Sequence, residues 1–320
     1  MDTLFLQSLD DLLGRGTEVP PISDPTSPHS GFGHGGSPVL EVLNWQITCT
    51  DPRRRLLSNP ARNAHVDQAI GMALWNLRGS NALDDVAFYN PNARKFSDDG
   101  LSIRAPWGYR MMESGASSVL WRALGVLSDR STLRCVVPIF DSRDVGVQSR
   151  DIPCLASIHL LVRNDVLHMT CFLRSLNPYW VWVYDHFFLT LLLEMMSAHL
   201  KVGVGHLTYH VSSLQAPTTD IPLMELALRS GPRSAVEMPP MPSLDLKETL
   251  AMIQLVEPVV RSGLTARDSP LSVENAVKQC WSPISEYWLD MFRVLINAFA
   301  MRHYGSPLAS PLAITRWSHA

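Results

Sequence analysis

Apolar side chains recur along the chain at two spacings, one typical of helices and the other of strands. Apolar residues three or four positions apart predict helices over residues 1–15, 65–79, 117–127, 185–200, 244–256 and 286–303. Alternating or β-branched runs predict strands over residues 39–50, 135–140, 154–162, 166–174 and 206–213. Two of these strands flank Arg163-Asn164-Asp165, which predicts a hairpin-like pair. Because regular βαβ alternation is missing, we expect a single α/β or α+β domain over residues 1–320.

A segment rich in proline and glycine, residues 17–37, interrupts this pattern. It holds four Pro, four Gly and two His, which predicts a loop or an ordered lid, with a disordered linker as the alternative. Its residues 31–36 match the glycine spacing of a dinucleotide-binding loop, but no predicted strand precedes them and no predicted helix follows. The sequence therefore does not predict a dinucleotide site.

Composition narrows the class of protein. Of the 320 residues, 46% are hydrophobic and 18% charged, enough for a large core. The net charge of −3 offers no basic surface for a nucleic acid polymer, so a small ligand is expected instead. No run reaches the roughly 18 to 20 apolar residues of a membrane span, and residues 1–13 lack the pattern of a signal peptide. We expect a soluble, cytoplasmic protein without a membrane partner.

Cysteine and histidine spacing gives no sign of a disulfide framework or a metal site. The cysteines are Cys49, Cys135, Cys154, Cys171 and Cys280, an odd number at wide spacings that suits a reducing compartment. His206 and His210 are four residues apart, but a strand would hold them about 13 Å from each other. We therefore expect no metal.

One stretch places a cysteine near polar and charged residues at the ends of predicted elements. Asp151-Ile152-Pro153-Cys154 opens one strand, Arg174-Ser175-Leu176-Asn177 ends the next, and Tyr184-Asp185-His186 begins the long helix. A cysteine at the start of an apolar strand is, on its own, more often a small core residue than a nucleophile.

The whole arrangement resembles the thymidylate synthase superfamily over most of the chain. In that family a Pro-Cys pair opens a strand, Arg-Ser-x-Asp/Asn ends the next strand, and Asn or Asp follows eleven residues after the Arg. Pro153-Cys154, the motif from Arg174 to Asn177, and Asp185 agree with that spacing. Further matching segments are residues 73–81, 88–91, 96–100, 107–110, 133–134 and 310–314.

The resemblance implies a thymidylate synthase-like single domain, with a mixed β-sheet flanked by long helices and packed against a second sheet in a homodimer. It implies that Cys154 is the nucleophile that adds to C6 of a pyrimidine ring. Arg174 would lower the pKa of the thiol and, with Ser175, bind the substrate phosphate. Arg134 would contact the phosphate of the other subunit across the interface. An ordinary surface charge is the alternative for each arginine.

The resemblance also implies how the base is read. Family members that act on uracil carry Asn at the position of Asp185, and those that act on cytosine carry Asp. A protonated carboxyl can donate to N3 of cytosine and accept from its 4-amino group. The alternative is that Asp185 is only the N-cap of the helix ahead of Phe187.

Methylenetetrahydrofolate is the co-substrate that the resemblance implies. Its pterin would rest on the aromatic run from Trp180 to Tyr184 and form a hydrogen bond near Asn177. Trp75 would add to the folate surface and Trp107 to the nucleotide surface. The alternative is that the aromatic residues are core residues.

The chain departs from the family pattern at several positions. Met72 stands where the family has a catalytic Glu, and a thioether cannot transfer a proton. Gln215-Ala216-Pro217 replaces the His-x-Tyr pair that binds the sugar, so only Gln215 remains there as a polar substrate contact. Other departures are Leu133 for an Arg, Val181 for a Gly, no first-loop Arg in residues 20–24, and an extension over residues 315–320.

The losses affect the sugar, phosphate and water sites, whereas the thiol and the base-reading position are kept. The sequence therefore predicts a hydroxymethylase close to the cytosine nucleotide branch, acting on CMP or dCMP in modified-nucleoside or nucleoside antibiotic biosynthesis. A one-carbon or methyl transferase for another heterocycle is one alternative. A catalytically silent, nucleotide-binding member is the other.

Overall fold

A computed structural model describes residues 1–20, 37–113, 115, 118–232, 237–243 and 245–304. Most of the predicted loop or lid, including its glycine run, lies outside the described residues, as do residues 310–314 and the extension over 315–320. Thr17–Val19, which the sequence places in that loop, instead form a short strand because they pair antiparallel with Val39, Leu40 and Glu41.

The described residues form ten α-helices and six strands, joined by loops and short 3-10 helices. The strands are β1 (Thr17–Val19), β2 (Val39–Cys49), β3 (Val136–Pro138), β4 (Leu155–Arg163), β5 (Val166–Leu173) and β6 (Gly203–Pro217). The helices are α1 (Asp2–Arg15), α2 (Val66–Arg78), α3 (Leu83–Tyr89), α4 (Trp107–Met112), α5 (Val119–Leu127), α6 (Trp182–Leu200), α7 (Ile221–Ser230), α8 (Leu246–Ala266), α9 (Pro270–Cys280) and α10 (Glu286–Tyr304). Each predicted helix and strand is confirmed, whereas α3, α4, α7 and α9 are additional.

The six strands form one mixed sheet in the order β1-β2-β6-β5-β4-β3. Only β5 and β6 run parallel, and α6 connects them; the other neighbours are antiparallel. Asn164 and Asp165 join β4 to β5 with positive φ angles of 51° and 57°, the geometry of a tight hairpin turn. The predicted hairpin and mixed α/β sheet are therefore confirmed.

One face of the sheet is covered by helices. α6 is buried around nearly its whole circumference, so it forms the centre of the core rather than an amphipathic layer. Glu194 is an acidic residue inside α6, and its carboxylate pairs with the buried Arg55 guanidinium and accepts from Met241 N at 3.0 Å. Nowhere in the described ranges is a helix long and apolar enough to cross a membrane.

The opposite face of the sheet is open. Alternate residues of β5 and β6 stand on it, and two cross-strand ring pairs cover part of its surface: His168 with His206 at 5.4 Å between centroids, and Phe172 with His210 at 5.2 Å. Phe172 is 41% exposed although it lies in the middle of the sheet. The face is therefore weakly polar: along β5 it carries Val166, two rings and Thr170, and no carboxylate.

Candidate active site

Cys154 lies immediately before β4, where the hairpin brings it beside the end of β5. The backbone N–H of Arg174 donates to the carbonyl of Cys154 at 2.9 Å, and the Ser175 hydroxyl donates to Cys154 Sγ at 3.6 Å. The thiol keeps part of its surface accessible, whereas Cys49, Cys135 and Cys171 are buried. Strand pairing thus brings the first two predicted segments together.

The Arg174 guanidinium lies across the segment that precedes the cysteine. Its Nε donates to Pro153 O at 2.9 Å, its Nη2 to Ile152 O at 2.9 Å, and its Nη1 to Ser175 Oγ at 3.3 Å. A guanidinium has five N–H donors, so these bonds leave one donor on each terminal nitrogen. That pair suits the fork-like binding of a phosphate or carboxylate.

The pKa of the Cys154 thiol is raised overall. Burial raises the pKa of Cys154, while the Arg174 charge and the Ser175 hydrogen bond lower it by less. The negative charges of Asp185 and Asp151 raise it further. Arg174 thus lowers the thiol pKa as predicted, but the pKa remains raised overall because desolvation outweighs the guanidinium. Cys154 carries its proton at neutral pH, and a reaction that uses the thiolate has to remove it.

Asp185 lies in the first turn of α6, and its charge acts on both Cys154 and Cys171. Burial raises the pKa of its carboxyl from 3.8 to about 8, so the neutral acid prevails at pH 7. The helix begins at Trp182, its N-cap is Val181, and no side chain caps it. The N-cap interpretation of Asp185 is therefore wrong, since the residue stands inside the helix.

Asn177 forms the turn that leads into α6. Its Oδ1 accepts from Tyr179 N at 3.0 Å and from Trp180 N at 2.9 Å. Its Nδ2 is buried and has no hydrogen-bond partner among the described residues. A buried donor without a partner is costly, so this amide fits a site that a ligand acceptor completes.

The aromatic run is only partly accessible. Trp180 is 39% exposed, and its Nε1 donates to Asp220 Oδ2 at 2.8 Å. Tyr184 is largely buried, and Trp182 is fully buried in the core. The core interpretation thus holds for Trp182, whereas part of the Trp180 side chain remains exposed.

Arg62 contacts this aromatic run, and it was not predicted from the sequence. Its Nε donates to Tyr179 O at 2.6 Å, and its guanidinium carbon lies 5.2 Å from the Trp180 ring and 5.8 Å from the Tyr184 ring. These are cation–π distances. Residues 60–62 lie in an irregular segment before α2, so no periodic pattern marks the arginine.

Two further predicted substrate residues, Gln215 and Trp107, lie on β6 and α4. Gln215 N donates to Leu176 O at 2.9 Å, which places this end of β6 beside the Arg-Ser-x-Asn motif. Trp107 begins α4 and packs on Phe188 at 6.4 Å between centroids.

Arg134 lies far from the thiol of its own chain. Since Val136 pairs with His159 and β3 runs antiparallel to β4, Arg134 stands opposite Leu161. That position is seven residues from Cys154, or about 23 Å along the strand. Its exposed side chain therefore cannot reach the thiol of its own chain.

Two predicted positions on α2 are occupied by apolar side chains. Trp75 is buried in a small separate cluster with Leu83, Val86 and Ile103, so little of its ring is open to a ligand. Met72 has the amide of Gln68 at 4.0 Å from its sulfur, and Asn76 lies on the next turn. This face of α2 holds no group that transfers a proton.

Asp151, three residues before the thiol, carries the nearest carboxyl on the same segment. Its Oδ2 accepts from Ala105 N at 2.7 Å, and burial raises the pKa of this carboxyl to about 6. Asp151 is part of the sequence motif, but no role was predicted for it. Across the described ranges, no group of three or more His, Cys, Asp or Glu side chains is arranged to hold a metal ion.

A solved structure has a closely similar fold. Thermostable thymidylate synthase A from Bacillus subtilis superposes with a TM-score of 0.65, over 78% of this chain and 91% of that chain, at 15% identity. No protein-family model matches the sequence.

Sequence relatives come from bacteriophages. The deoxyuridylate hydroxymethyltransferase of Delftia phage PhiW-14 is 32% identical over 155 residues, 44% of this chain and 42% of that protein. The enzyme of the same name from Bacillus phage SP01 is 27% identical over 186 residues, 53% of this chain and 48% of that protein. The chain thus spans less than half the length of these relatives. The fold is therefore thymidylate synthase-like, as the resemblance implies, and part of the sequence is similar to phage deoxyuridylate hydroxymethyltransferases.

Proposed function

We propose that the chain is a pyrimidine nucleotide C5 hydroxymethyltransferase that uses 5,10-methylenetetrahydrofolate and takes a cytosine nucleotide, CMP or dCMP, as substrate. The observation that carries this proposal is the assembly of Cys154, Arg174, Ser175 and Asp185 at one end of the hairpin. The name of the phage relatives supports the hydroxymethyl transfer.

Each residue of the assembly has a chemical task. Cys154 adds to C6 of the ring, which makes C5 nucleophilic. The folate supplies the one-carbon unit, and water then completes the hydroxymethyl group. Arg174 offers two guanidinium donors to the substrate phosphate, and Ser175 donates to the sulfur, which stabilises the thiolate relative to the thiol. Asn177 Nδ2, buried without a partner among the described residues, suits an acceptor on the folate.

Asp185 reads the base as a neutral acid. Its hydroxyl donates to N3 of cytosine while its carbonyl oxygen accepts from the 4-amino group. With the proton on the other oxygen, the same carboxyl accepts from N3–H of uracil and donates to the 4-oxygen. Deoxyuridylate is therefore a second candidate substrate, favoured by the names of the relatives.

The substrate site is completed by a second copy of the chain in this proposal. The open sheet face is weakly polar and ring-rich, as expected for a surface buried between two sheets. Arg134 extrapolates to a position about seven residues of strand from its own Cys154, or roughly 23 Å, which supports donation of Arg134 to the partner's phosphate site.

A substrate panel tests the activity. The protein is incubated with methylenetetrahydrofolate and CMP, dCMP, dUMP or cytidine, and the product mass and release of tritium from C5 are measured, with Cys154→Ala as the control. We expect the mass gain of one CH2O unit and tritium release, strongest with a cytosine nucleotide. A methyl product would favour the alternative transferase. Absence of both signals with every pyrimidine would favour a silent nucleotide-binding member.

The same panel with Asp185→Asn tests base recognition. We expect the ratio of kcat/KM for dCMP to that for dUMP to fall by about tenfold or more. A neutral carboxyl can carry its proton on either oxygen, whereas an amide has one fixed donor and one fixed acceptor. An unchanged ratio would show that Asp185 does not select the base.

A further inference from the structure

The proposed addition of sulfur to the ring lacks an obvious proton acceptor. Cys154 is protonated at neutral pH because burial raises its pKa. Asp185 is itself a neutral acid at that pH, Arg174 is a cation, and Ser175 donates its hydrogen toward the sulfur. Met72 stands at the position where a carboxylate is expected and cannot accept a proton.

Asp151 is the one carboxyl of the described site that is ionised at neutral pH and close enough to influence the thiol. It lies on the segment that Arg174 clamps through Ile152 O and Pro153 O. Its Oδ2 is held by Ala105 N at 2.7 Å, which fixes the carboxyl. Its charge acts on Cys154, and its side chain remains partly accessible, as does the thiol.

The charges around Asp151 keep it available as a base. Asp98 is a like charge that raises the pKa of its carboxyl, whereas Arg110 and Arg174 lower it; burial is the largest effect and brings it to about 6. The carboxyl is therefore ionised above about pH 6, which is the form that accepts a proton. The pKa of Asp185 is about 8, so between about pH 6 and pH 8 Asp185 is mostly protonated while Asp151 is mostly ionised. Environments that separate two carboxyls in this way are typical of an acid and base pair.

We propose that Asp151 accepts the proton of the Cys154 thiol, directly or through one water, as the sulfur adds to C6 of the pyrimidine. The S–H bond breaks, its electron pair forms the S–C6 bond, and the C5–C6 π electrons become the nucleophilic pair at C5. The proton returns to the sulfur when the S–C6 bond breaks at the end of the reaction. This role rests on the proposed function and supplies the proton acceptor that is missing at Met72.

Asp151→Asn tests the role, because the amide oxygen can still accept from Ala105 N while the base is lost. Tritium release from C5 of dCMP and dUMP is measured from pH 5 to pH 9, with the nucleotide Kd alongside. In the wild type we expect an acidic limb with an apparent pKa of about 6. In the variant we expect the limb to vanish and kcat to fall by roughly 10² to 10⁴-fold, with little change in Kd.

Alkylation of Cys154 by iodoacetamide in the absence of substrate gives a second measurement. Removing the negative charge of Asp151 lowers the pKa of the thiol, so we expect faster alkylation of the variant at pH 8 together with slower turnover. A defect that exposed the thiol would also speed alkylation, because burial raises its pKa, but it would weaken nucleotide binding, so an unchanged nucleotide Kd distinguishes the two cases. In Asp151→Ala, added formate should restore part of the turnover, which a structural role would not allow.

Asp98→Asn is the matched control. Asp98 holds the same segment through Ser149 Oγ and Arg150 N, and it is not among the main charges acting on the thiol. We expect it to keep the acidic limb, moved to somewhat lower pH because the Asp98 charge raises the pKa of Asp151. An equal loss of kcat in Asp98→Asn would overturn the role of Asp151. So would an acidic limb that is retained in Asp151→Asn with less than about tenfold loss of kcat. A wild type inactive on every nucleotide would instead overturn the proposed function, and the role with it.

Discussion

The hydroxyl of Ser175 lies 3.6 Å from the sulfur of Cys154, and it also accepts from the Arg174 guanidinium at 3.3 Å. Ser175 therefore connects the cation to the thiol. The arginine itself hydrogen-bonds backbone carbonyls and the serine, so its effect on the sulfur is partly transmitted through this hydroxyl. Polarisation along such a chain strengthens the bond to a charged acceptor.

Ser175→Ala should raise the pKa of the Cys154 thiol without unfolding the site. Loss of a hydrogen bond to a charged sulfur costs about 1.5 kcal/mol or more, which corresponds to roughly a tenfold slower alkylation of Cys154 at a given pH. The pH profile of iodoacetamide alkylation measures it, and Ser230→Ala on α7 is the control. An alkylation profile that coincides with that of the wild type would show that the 3.6 Å contact has no influence on the thiol.

The buried carboxyl of Asp185 should make stability depend on pH. Its pKa is raised from 3.8 to about 8, so the folded protein binds the proton more tightly than the unfolded chain does. The free energy of unfolding is therefore highest below about pH 4 and falls as the pH rises to about 8. Asp185→Asn removes this fall, since an amide has no charge to bury.

Thermal unfolding of both proteins at pH 5 and pH 8 checks this expectation. The Tm of Asp185→Asn should exceed that of the wild type by roughly 2 °C or more at pH 8, with a smaller gap at pH 5. Asp10→Asn, on the exposed surface of α1, is the control and should show no gap that grows with pH. An equal gap at both pH values would mean that the carboxyl is not protonated in the folded protein.

The sequence predicted the sheet, and with it the contact between Cys154 and Arg174, because both depend on residues close together in the chain. β4 and β5 are joined by a tight turn, so Cys154 and Arg174 meet wherever the hairpin forms. The charge of Asp185 acts on Cys154, but its helix begins at Trp182, before the position that the sequence indicated. α6 is apolar on all sides, so no polar face marks its first turn.

Residues whose roles depend on distant contacts were harder to predict. Arg62 meets Trp180 across 118 positions of sequence, and Asp151 meets Ala105 across 46. The raised pKa of Cys154 depends on how deeply the segment is buried, which no motif encodes. α7 buries only Met224 and Ala227, so its apolar stripe was too narrow to indicate a helix.

Arg62→Lys should weaken folate use more than nucleotide binding. Lysine keeps the charge but loses the planar contact with Trp180 and Tyr184 and the fork that donates to two carbonyls. We expect KM for methylenetetrahydrofolate to rise about tenfold, as a loss of about 1.4 kcal/mol predicts. The Kd of the nucleotide should change little. Arg122→Lys on α5 is the control, and an equal rise in both constants would contradict a role in positioning the aromatic run.

A mixed dimer of two inactive variants tests whether Arg134 of one chain completes the site of the other. Arg134→Ala and Cys154→Ala are co-expressed with different tags, and the mixed dimer is purified and assayed with limiting nucleotide. If Arg134 serves the partner's site, the mixed dimer has one site that lacks both residues and one complete site, so it recovers about half of the wild-type activity. Each variant alone has no complete site. A dimer of Cys154→Ala with Asp185→Ala is the matched control, because both residues belong to the same chain's site and neither site is then complete. Recovery in the control as well, or none with Arg134→Ala, would show that the arginine does not cross the interface.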